Sequence, residues 1–496
     1  MILSIDQGTT STTCVVFDER AAEVGRAQAE LRQHFPQPGW VEHDAREIWE
    51  LVRRLSAEAL AQADVRPGEL QAVGITNQRE TVCAWDARSG EPLCDAIVWQ
   101  DRRTARACER LRRDGWQELV RRRTGLLLDP YFSASKMQWL LEHVDGLREA
   151  AEHGRALLGT VDSWLVFKLT GEHVTDATNA SRTLLYDIVA GRWDPELVDL
   201  FGVPARALPE VRDSAGVLGT VATGLPAAGA PVAGVAGDQQ AALFGQGCVD
   251  PGMAKSTYGT GSFVLLNAGH LAPRPTDGVL NTLACRVGGA SGYAIEASIF
   301  VTGAAVQWLR DGLGIVAEAA ETEALAASLP GNEGVYFVPA LTGLGSPHWD
   351  PDARGAISGL TRGTGRAHLA RATLEAIAYQ TCDAVQAMAG AGGEPLRELR
   401  ADGGATANRW LMQFQADMLG VPVLVPEVPE TTAFGAALLA GVGASLWTVR
   451  DTTRFWRERA RYEPAIDESL RAERLAGWQA ALARTLSRRN QAPAAR

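Results

Sequence analysis

A hairpin of two short apolar strands around a turn of small and hydroxyl-bearing residues is predicted at two places in the chain. The first reads ILSID, QGTTSTT and CVVFD, with Gly8 in its turn. The second places the turn GTGS, 259–262, between apolar segments around Lys255 and Asn267. Strand and helix patterns alternate around both hairpins, which is the layout of an α/β domain. The sequence therefore predicts two similar α/β halves.

The length of 496 residues is too great for one ordinary hydrophobic core, so two or three domains are expected. We place a boundary after residue 245, which gives domains 1–245 and 246–496 with a cleft between them. Helices are predicted from Ala45 to about Asp64, over 407–419 and over 432–440, because apolar residues recur there with helical spacing.

Charge and apolar patterning exclude some classes of partner. A formal net charge of −11 argues against a nucleic-acid surface, which needs clustered Lys and Arg. No apolar stretch of roughly 18 residues and no signal-peptide pattern occurs, so we expect no membrane insertion. The seven cysteines are odd in number and form no CxxC pair, which indicates neither a disulfide framework nor a zinc site. We expect a cytoplasmic protein.

The two predicted turns are candidates for binding phosphate. Thr9, Thr10 and Ser11 offer hydroxyl and backbone donors around one turn, and Thr260 offers them around the other. Asp6 precedes the first turn, where its carboxylate is compatible with phosphate if Mg²⁺ lies between them, normally through waters. Each turn also fits an ordinary structural hairpin.

Asp238 follows an apolar strand and precedes the helical pattern QQAALFG. Such strand-to-helix junctions open on the cleft of α/β folds. The carboxylate is therefore a candidate general base toward an alcohol. A helix N-cap is the alternative, because aspartate is a favoured capping residue.

Two further segments suggest ligand contacts. Gly403 and Gly404 precede a predicted helix carrying Asn408, so the backbone can approach a flat ligand such as adenine there; a simple glycine turn is the alternative. Arg79 and Glu80 stand together at the end of a predicted strand. Arginine donors and glutamate acceptors suit the neighbouring hydroxyls of a polyol, although a surface salt bridge explains the pair equally well.

Several of these segments together resemble the FGGY carbohydrate kinases, a branch of the actin-like ATPase superfamily. The resemblance covers most of the chain and is closest to the members that act on glycerol. It lies in DQGTTS (6–11), NQRET (77–81), WQDRRT (99–104), YFSASKMQWLLEH (131–143), GDQQAALFGQ (237–246), GAISGLTRGTGRAHLARATLE (355–375) and DGGATAN (402–408).

The resemblance implies two actin-like, ribonuclease H-like α/β domains around a catalytic cleft. It implies an ATP-dependent kinase whose N-terminal domain holds glycerol and whose C-terminal domain holds adenine, with Mg²⁺ as cofactor. We also expect a homodimer or homotetramer, although the sequence does not fix the oligomeric state.

The residue roles that follow from the resemblance can be assigned by position. Asp238 is the expected catalytic base. Glycerol hydroxyls are expected to meet Arg79, Glu80, Tyr131, Asp238 and Gln239, and its carbon chain is expected to meet Trp99 and Phe263. For Phe263, an ordinary core position stays open. ATP is expected to contact Thr9, Thr10, Ser11, Thr260, Gly303, Gln307, Gly404 and Asn408, and Mg²⁺ is expected near Asp6, held through water.

One departure from the family pattern concerns nucleotide affinity. Thr13 stands where the family often carries arginine, so one cation for the polyphosphate is lost. We expect catalysis to survive, since Mg²⁺ and backbone donors supply most of the charge neutralisation.

The sequence leaves three functional questions open. A kinase for erythritol, xylulose or gluconate shares the ATP motifs, and a non-enzymatic ATP switch shares the two phosphate turns but has no use for Asp238.

Some bacterial members of the family are regulated by fructose 1,6-bisphosphate or by histidine phosphorylation in the segment before Asp238. Here residues 213–237 contain no Lys, Arg or His, so we expect neither form of regulation.

Overall fold

The structure is a computed structural model that describes residues 1–66, 68–392 and 394–487. The strands are β1 Ile2–Gln7, β2 Ser11–Phe17, β3 Glu23–Glu30, β4 Glu42–His43, β5 Ala72–Asn77, β6 Val82–Asp86, β7 Ala96–Ile97, β8 Ala156–Thr160, β9 Val174–Asp176, β10 Tyr186–Asp187, β11 Arg192–Trp193, β12 Glu210–Arg212, β13 Ala215–Thr220, β14 Pro231–Gly237, β15 Met253–Tyr258, β16 Ser262–Gly269, β17 Leu280–Val287, β18 Ala290–Ile299, β19 Tyr336–Val338, β20 Ala356–Ser358, β21 Glu398–Asp402, β22 Val423–Pro426 and β23 Glu458–Tyr462.

The helices connect and cover these strands. They are α1 Ala45–Gln62, α2 Ala105–Arg113, α3 Gln117–Thr124, α4 Ser133–His143, α5 Leu147–Glu152, α6 Val161–Thr170, α7 Ala177–Ala180, α8 Pro195–Leu200, α9 Asp238–Gly245, α10 Gly303–Gln307, α11 Glu321–Ala327, α12 Arg366–Gly390, α13 Arg409–Leu419, α14 Thr431–Gly443, α15 Val449–Thr452 and α16 Glu468–Ala483. Within the described ranges, no helix is long and apolar enough to cross a membrane.

One sheet of 13 strands runs through the described part of the molecule. Its order is β23-β22-β21-β15-β16-β18-β17-β13-β14-β5-β1-β2-β3. Within it, β3-β2-β1-β5-β14 and β18-β16-β15-β21-β22 repeat one pattern of two antiparallel and then two parallel pairings. The predicted α/β class and the duplicated layout are therefore confirmed. The two units join where Ala215 of β13 pairs with Val287 of β17.

Both predicted hairpins form, and each turn closes with a backbone hydrogen bond. In the first, Gly8 N–H donates to Ser11 O over 2.9 Å. In the second, Gly259 N–H donates to Gly261 O over 2.9 Å. The flanking strands are mostly buried, so burial fixes the strands while the polar turns remain at their ends.

The predicted helices form with small shifts at their ends. The helix expected over 407–419 begins at Arg409, because the Asn408 side chain accepts from Leu411 N–H at 2.9 Å and caps it. Asp44 caps α1 in the same way through Arg46 N–H. The helix expected over 432–440 extends further, as α14.

Helices α9 and α14 cross where the two repeated units meet. Each helix follows the last strand of its own unit but also packs on the other unit. Leu243 of α9 lies in a cluster with Leu265 of β16, and Phe434 of α14 meets Phe17 of β2 with ring centroids 5.7 Å apart. At the crossing a Cβ on Gly435 would overlap the carbonyl of Ala241. Backbone contact between the helices therefore requires glycine there.

Candidate active site

A buried cluster of two arginines and two glutamates lies beyond the end of β5. Arg79 donates through Nη1 to Glu296 Oε2 at 2.5 Å and through Nη2 to Glu296 Oε1 at 3.1 Å. Arg182 donates through Nε to Glu80 Oε1 at 2.6 Å and through Nη2 to Glu296 Oε1 at 3.1 Å. All four side chains are at most 2% exposed. Arg79 and Glu80 are therefore not a surface salt bridge.

Electrostatics lower the pKa of Glu296 despite its burial, whereas burial raises the pKa of Glu80 against the opposing effect of Arg182 and Arg79. Burial opposes the charge of Glu296, but the guanidinium groups of Arg182 and Arg79 outweigh it and lower the pKa of Glu296 to about 2. Glu80 has a backbone φ of 65°, a region that residues other than glycine rarely adopt. The ion pair with Arg182 thus holds a strained residue in place.

Asp238 opens α9 at the predicted strand-to-helix junction. Gly237 occupies the N-cap position, so the alternative role of Asp238 as N-cap is wrong. Its Oδ1 lies 3.2 Å from Arg79 Nε, and its side chain is 29% exposed, in contrast to the buried cluster behind it. The carboxylate therefore sits at the accessible edge of the cluster, where it can reach a ligand.

Aromatic side chains line the same place. Trp99 and Tyr131 meet edge to face with ring centroids 5.5 Å apart, and Tyr131 also lies under the Arg182 guanidinium at 5.7 Å. Phe263 lies under the Arg79 guanidinium at 5.9 Å and packs against a core cluster on its other side. Apolar faces and polar groups thus converge, which is the character of a polyol site.

Gln239 is held by a buried lysine. Lys255 Nζ donates to Gln239 Oε1 and, over 2.9 Å, to Thr257 Oγ1. Burial lowers the pKa of Lys255 to about 8, against the opposing effect of Asp402 and Asp238. This lysine therefore connects the residue beside Asp238 to the strand that leads into the second turn.

Asp6 lies at the end of β1, before the first turn. Burial and the carboxylates of Asp238 and Glu430 raise its pKa to about 8, and Arg26 only partly offsets them. An excess of negative charge with hard oxygen donors suits a bound Mg²⁺. No group of three or more His, Cys, Asp and Glu able to hold a metal occurs among the described residues. A cation here would need ligands from waters or phosphates. Thr13 lies on β2 opposite Asp6 and brings no charge.

The predicted nucleotide residues lie around the second turn. Gly303 N–H donates to Gly259 O at 3.0 Å and Thr302 N–H donates to Thr260 O at 2.9 Å, so the turn packs on the start of α10. Gln307 is exposed at the end of that helix. A Cβ on Gly403 would overlap the carbonyl of Tyr258, which places Gly404 beside the same turn.

Asn408 stands apart from this group by its contacts. Its carboxamide oxygen caps α13, and its Nδ2 donates to Thr322 Oγ1 at 3.3 Å.

Thr9, Thr10 and Ser11 form the first turn, and Trp99 Nε1 donates to Thr9 Oγ1 at 2.9 Å. The predicted polyol residue Trp99 therefore contacts the first turn directly, and Lys255 links Gln239 to Thr257 on the strand that leads into the second turn.

Sequence reasoning missed Arg182, Glu296 and Lys255. The signal for two of them was present, since Lys255 and Glu296 are each the only charged residue of an otherwise uncharged strand. A charged residue is seldom fully buried unless it is paired. Such positions predict an internal partner, although the sequence does not say which one.

Comparison with known proteins agrees with this geometry. Residues 1–245 match the N-terminal domain, and residues 254–444 match the C-terminal domain, of the FGGY family of carbohydrate kinases. A glycerol kinase from Geobacter sp. (strain M21) is 55% identical over 481 residues, 96% of this chain and 97% of that protein.

Solved structures give the same result. The crystal structure of Plasmodium falciparum glycerol kinase with ADP superposes with a TM-score of 0.93 at 35% identity, covering 98% of both chains. A xylulose kinase from Rhodospirillum rubrum superposes with a TM-score of 0.87 at 27% identity, covering 97% of this chain and 98% of that one. Both halves of the sequence and the whole fold agree: this chain belongs to the FGGY family of carbohydrate kinases.

Proposed function

We propose that this protein is an ATP-dependent glycerol kinase that converts glycerol and ATP to sn-glycerol 3-phosphate and ADP. The observation that carries the proposal is the partly exposed Asp238 carboxylate, set 3.2 Å from the buried Arg79. Relatives named glycerol kinase, more than half identical over nearly the full length, support the choice of glycerol.

The site suits a small polyol because it offers two kinds of surface. Arg79 donates and Glu80 accepts, so adjacent hydroxyls of one ligand can bond to both. Trp99 and Phe263 offer apolar faces to the carbon chain. Binding a polyol in this way leaves few buried polar groups of the protein unpaired, which is what makes such a site selective.

The chemical step is in-line attack by a terminal hydroxyl of glycerol on the γ-phosphorus of ATP. The new oxygen–phosphorus bond forms as the bond to the ADP oxygen breaks, and Asp238 accepts the hydroxyl proton. Positioning supplies most of the rate. Closure of the cleft excludes water, which would otherwise compete as the nucleophile.

The two turns are proposed to hold the phosphates. Thr9, Thr10 and Ser11 contact them from one side and Thr260 from the other, while Gly303, Gln307, Gly404 and Asn408 line the nucleoside site. Asp6 would hold Mg²⁺ through water, and the cation would supply charge neutralisation for the phosphates. The excess of carboxylates around Asp6 supports this assignment.

We further propose the domain division 1–245 and 246–496, a cytoplasmic location, and assembly as a homodimer or homotetramer. The extents of the two family matches support the division, and family resemblance supports the assembly. Light scattering after size-exclusion chromatography measures the subunit number directly.

The test of the proposed function is a substrate panel with Mg-ATP that compares glycerol, dihydroxyacetone, erythritol and xylulose. We expect the highest kcat/KM for glycerol. A pentulose turned over far faster than glycerol would contradict the proposal and assign the chain to another branch of the family. ATP hydrolysis without transfer to any acceptor would point to an ATP switch.

A further inference from the structure

Glu296 contacts Arg79 with both carboxylate oxygens, and this contact comes from the opposite half of the molecule. Arg79 follows β5 of the first repeated unit, whereas Glu296 lies on β18 of the second. The oxygen–nitrogen distances are 2.5 and 3.1 Å. A two-point contact between planar groups fixes the orientation of the guanidinium as well as its position.

The contact also determines which donors of Arg79 remain for a ligand. Nη1 donates to Glu296 and, at 3.3 Å, to Gln240 Oε1, so both of its hydrogens are used. Nη2 donates one hydrogen to Glu296. The Nε–H and the other Nη2 hydrogen are therefore left, and Nε lies nearest Asp238 and Glu80, at 3.2 and 3.9 Å. Glu296 thus directs the free donors of Arg79 toward the acidic residues of the site.

Arg182 contacts two other residues of the proposed site, Glu80 by one hydrogen bond and Tyr131 by its ring face. Its Nε donates to Glu80 Oε1 at 2.6 Å, which leaves Glu80 Oε2 without a hydrogen bond among the described residues. Its guanidinium lies 5.7 Å from the centre of the Tyr131 ring. Arg182 and Glu296 also contact each other at 3.1 Å, so the two residues form one unit behind the site.

The complete burial of Arg182 and Glu296 indicates that this pair orients neighbouring side chains. Arg182 and Glu296 are both 0% exposed, and in buried ion pairs the cost of removing two charges from water can exceed the gain from their attraction. Arg182 Nη1 has no hydrogen-bond partner in the described part of the chain, which adds to that cost. Replacing a buried ion pair by apolar residues of similar volume is often neutral or stabilising, so stability alone does not explain these charges.

We propose that Glu296 and Arg182 are positioning residues of the polyol site, Glu296 orienting Arg79 and Arg182 orienting Glu80 and Tyr131. Neither residue touches the ligand in this proposal, which rests on the proposed function. Since Glu296 belongs to the second unit, the geometry of the polyol site depends on the packing of one half of the molecule against the other.

The test measures KM for glycerol and for ATP, kcat and thermal stability of Glu296→Gln, Glu296→Asp and Arg182→Lys. The amide of Glu296→Gln turns an N–H₂ group toward one of the arginines, so Arg79 loses its two-point contact. We expect kcat/KM for glycerol to fall by about 10²-fold, the effect of a misplaced group, with KM for ATP unchanged. Glu296→Asp keeps the charge and should recover part of the loss.

The matched control is Glu375→Gln on α12. Glu375 pairs with Arg371 at 2.8 Å, and both side chains are at most 5% exposed. We expect this variant to lose stability and to keep the wild-type KM for glycerol. If Glu296→Gln behaves like Glu375→Gln, the pair is only structural and the proposal is wrong.

The other two variants and the wild-type enzyme allow the proposal to be tested in every case. If Glu296→Gln does not fold, the proposal is judged on Glu296→Asp and Arg182→Lys, and a wild-type KM for glycerol in both folded variants overturns it. Wild-type enzyme in the same assay tests the proposed function separately. If it prefers another polyol, the KM comparison is made with that substrate.

Discussion

The indole Nε1 of Trp99 donates a hydrogen bond to the hydroxyl of Thr9 over 2.9 Å. One end of this contact is the proposed wall of the polyol site, and the other is the first phosphate turn. In the proposed site, this contact would couple the position of the acceptor alcohol to that of the phosphates through a single side chain. In-line transfer depends on that relative placement.

Two replacements of Trp99 distinguish its role as an apolar wall from its hydrogen bond to Thr9. Trp99→Ala removes the wall and the hydrogen bond, so KM for glycerol should rise and bulkier polyols should become substrates. Trp99→Phe keeps an apolar wall without the N–H, so the selectivity for glycerol should stay while kcat falls. Steady-state kinetics on glycerol and erythritol measure both. Unaltered KM and selectivity in Trp99→Ala would return this residue to a purely structural role.

Asp238→Asn tests the general base. Asparagine keeps the size and hydrogen bonding of aspartate but cannot accept the proton at neutral pH, so kcat should fall by about 10² to 10⁴-fold. Thermal unfolding and ATP binding should remain close to wild type. Retention of near-full kcat in a folded variant would exclude Asp238 as the base.

Lys136 on α4 holds the segment that carries Tyr131. Its Nζ donates to the carbonyl oxygens of Pro130, Tyr131 and Phe132 at 2.5, 2.8 and 3.1 Å. Lys136→Met leaves these carbonyls without that donor, at a cost of about 1 to 3 kcal/mol for each one left unpaired. We expect a lower Tm and a higher KM for glycerol, with KM for ATP unchanged.

Lys168→Met is the control for that variant. Lys168 also donates to a carbonyl, Gly90 O at 3.2 Å, and lies over Trp164, away from the site. It should lower stability without changing KM for glycerol. An equal effect of both variants on KM would argue against a role for Lys136 in placing Tyr131.

Asp162 gives the unfolding free energy a pH dependence of known sign. Burial, with a smaller effect of Asp176, raises its pKa from 3.8 to about 7. The folded protein therefore holds a proton that the unfolded chain releases above pH about 4. The stability from this group is fully present below pH 4 and is lost as pH rises through about 7.

Asp162→Asn should remove that dependence. Denaturant unfolding at pH about 5 and about 8 measures the difference in unfolding free energy between variant and wild type. The difference should shift in favour of the variant at the higher pH, by on the order of 1 to 4 kcal/mol. A difference that stays constant or shifts toward wild type would mean that Asp162 is ionised in the folded protein at both values.

Fructose 1,6-bisphosphate should not inhibit the enzyme. The segment 213–237 offers no cation of its own, and the nearby Arg286 is occupied by Asp213 Oδ1 at 2.6 Å. Backbone N–H groups of its glycines can bind one phosphate at most as a nest. A steady-state assay at millimolar-scale effector, with any oligomer assembled, measures this. Strong, saturable inhibition would contradict the prediction.

Local features of the fold could be predicted from sequence, and long-range pairings could not. The hairpins around Gly8 and Gly261 and the helix beginning at Ala45 follow from apolar spacing and turn residues. The joining of both units into one sheet depends on the pairing of Ala215 with Val287. Nothing in either segment specifies the other, because strand pairing is decided by packing in the folded chain.

The same distinction holds within the site. Arg79 and Glu80 are neighbours in sequence, and Asp238 could be placed by its junction. The groups that orient them are 102 and 217 residues away along the chain, as for Glu80 with Arg182 and Arg79 with Glu296. A lone charge in an apolar strand indicates that a partner exists, and only the folded structure identifies it.

The glycine contacts between α9 and α14 set the distance and angle at which the two helices cross. Even a methyl group at Gly435 must force the helices apart, since the carbonyl of Ala241 already fills that space. Packed interfaces pass such a displacement on to the elements they carry. In the proposed closure, a small tilt at this crossing would become a larger displacement at the distal rims of the cleft. Variation there, remote from every ligand contact, is a route by which evolution or engineering can alter how far the two halves close.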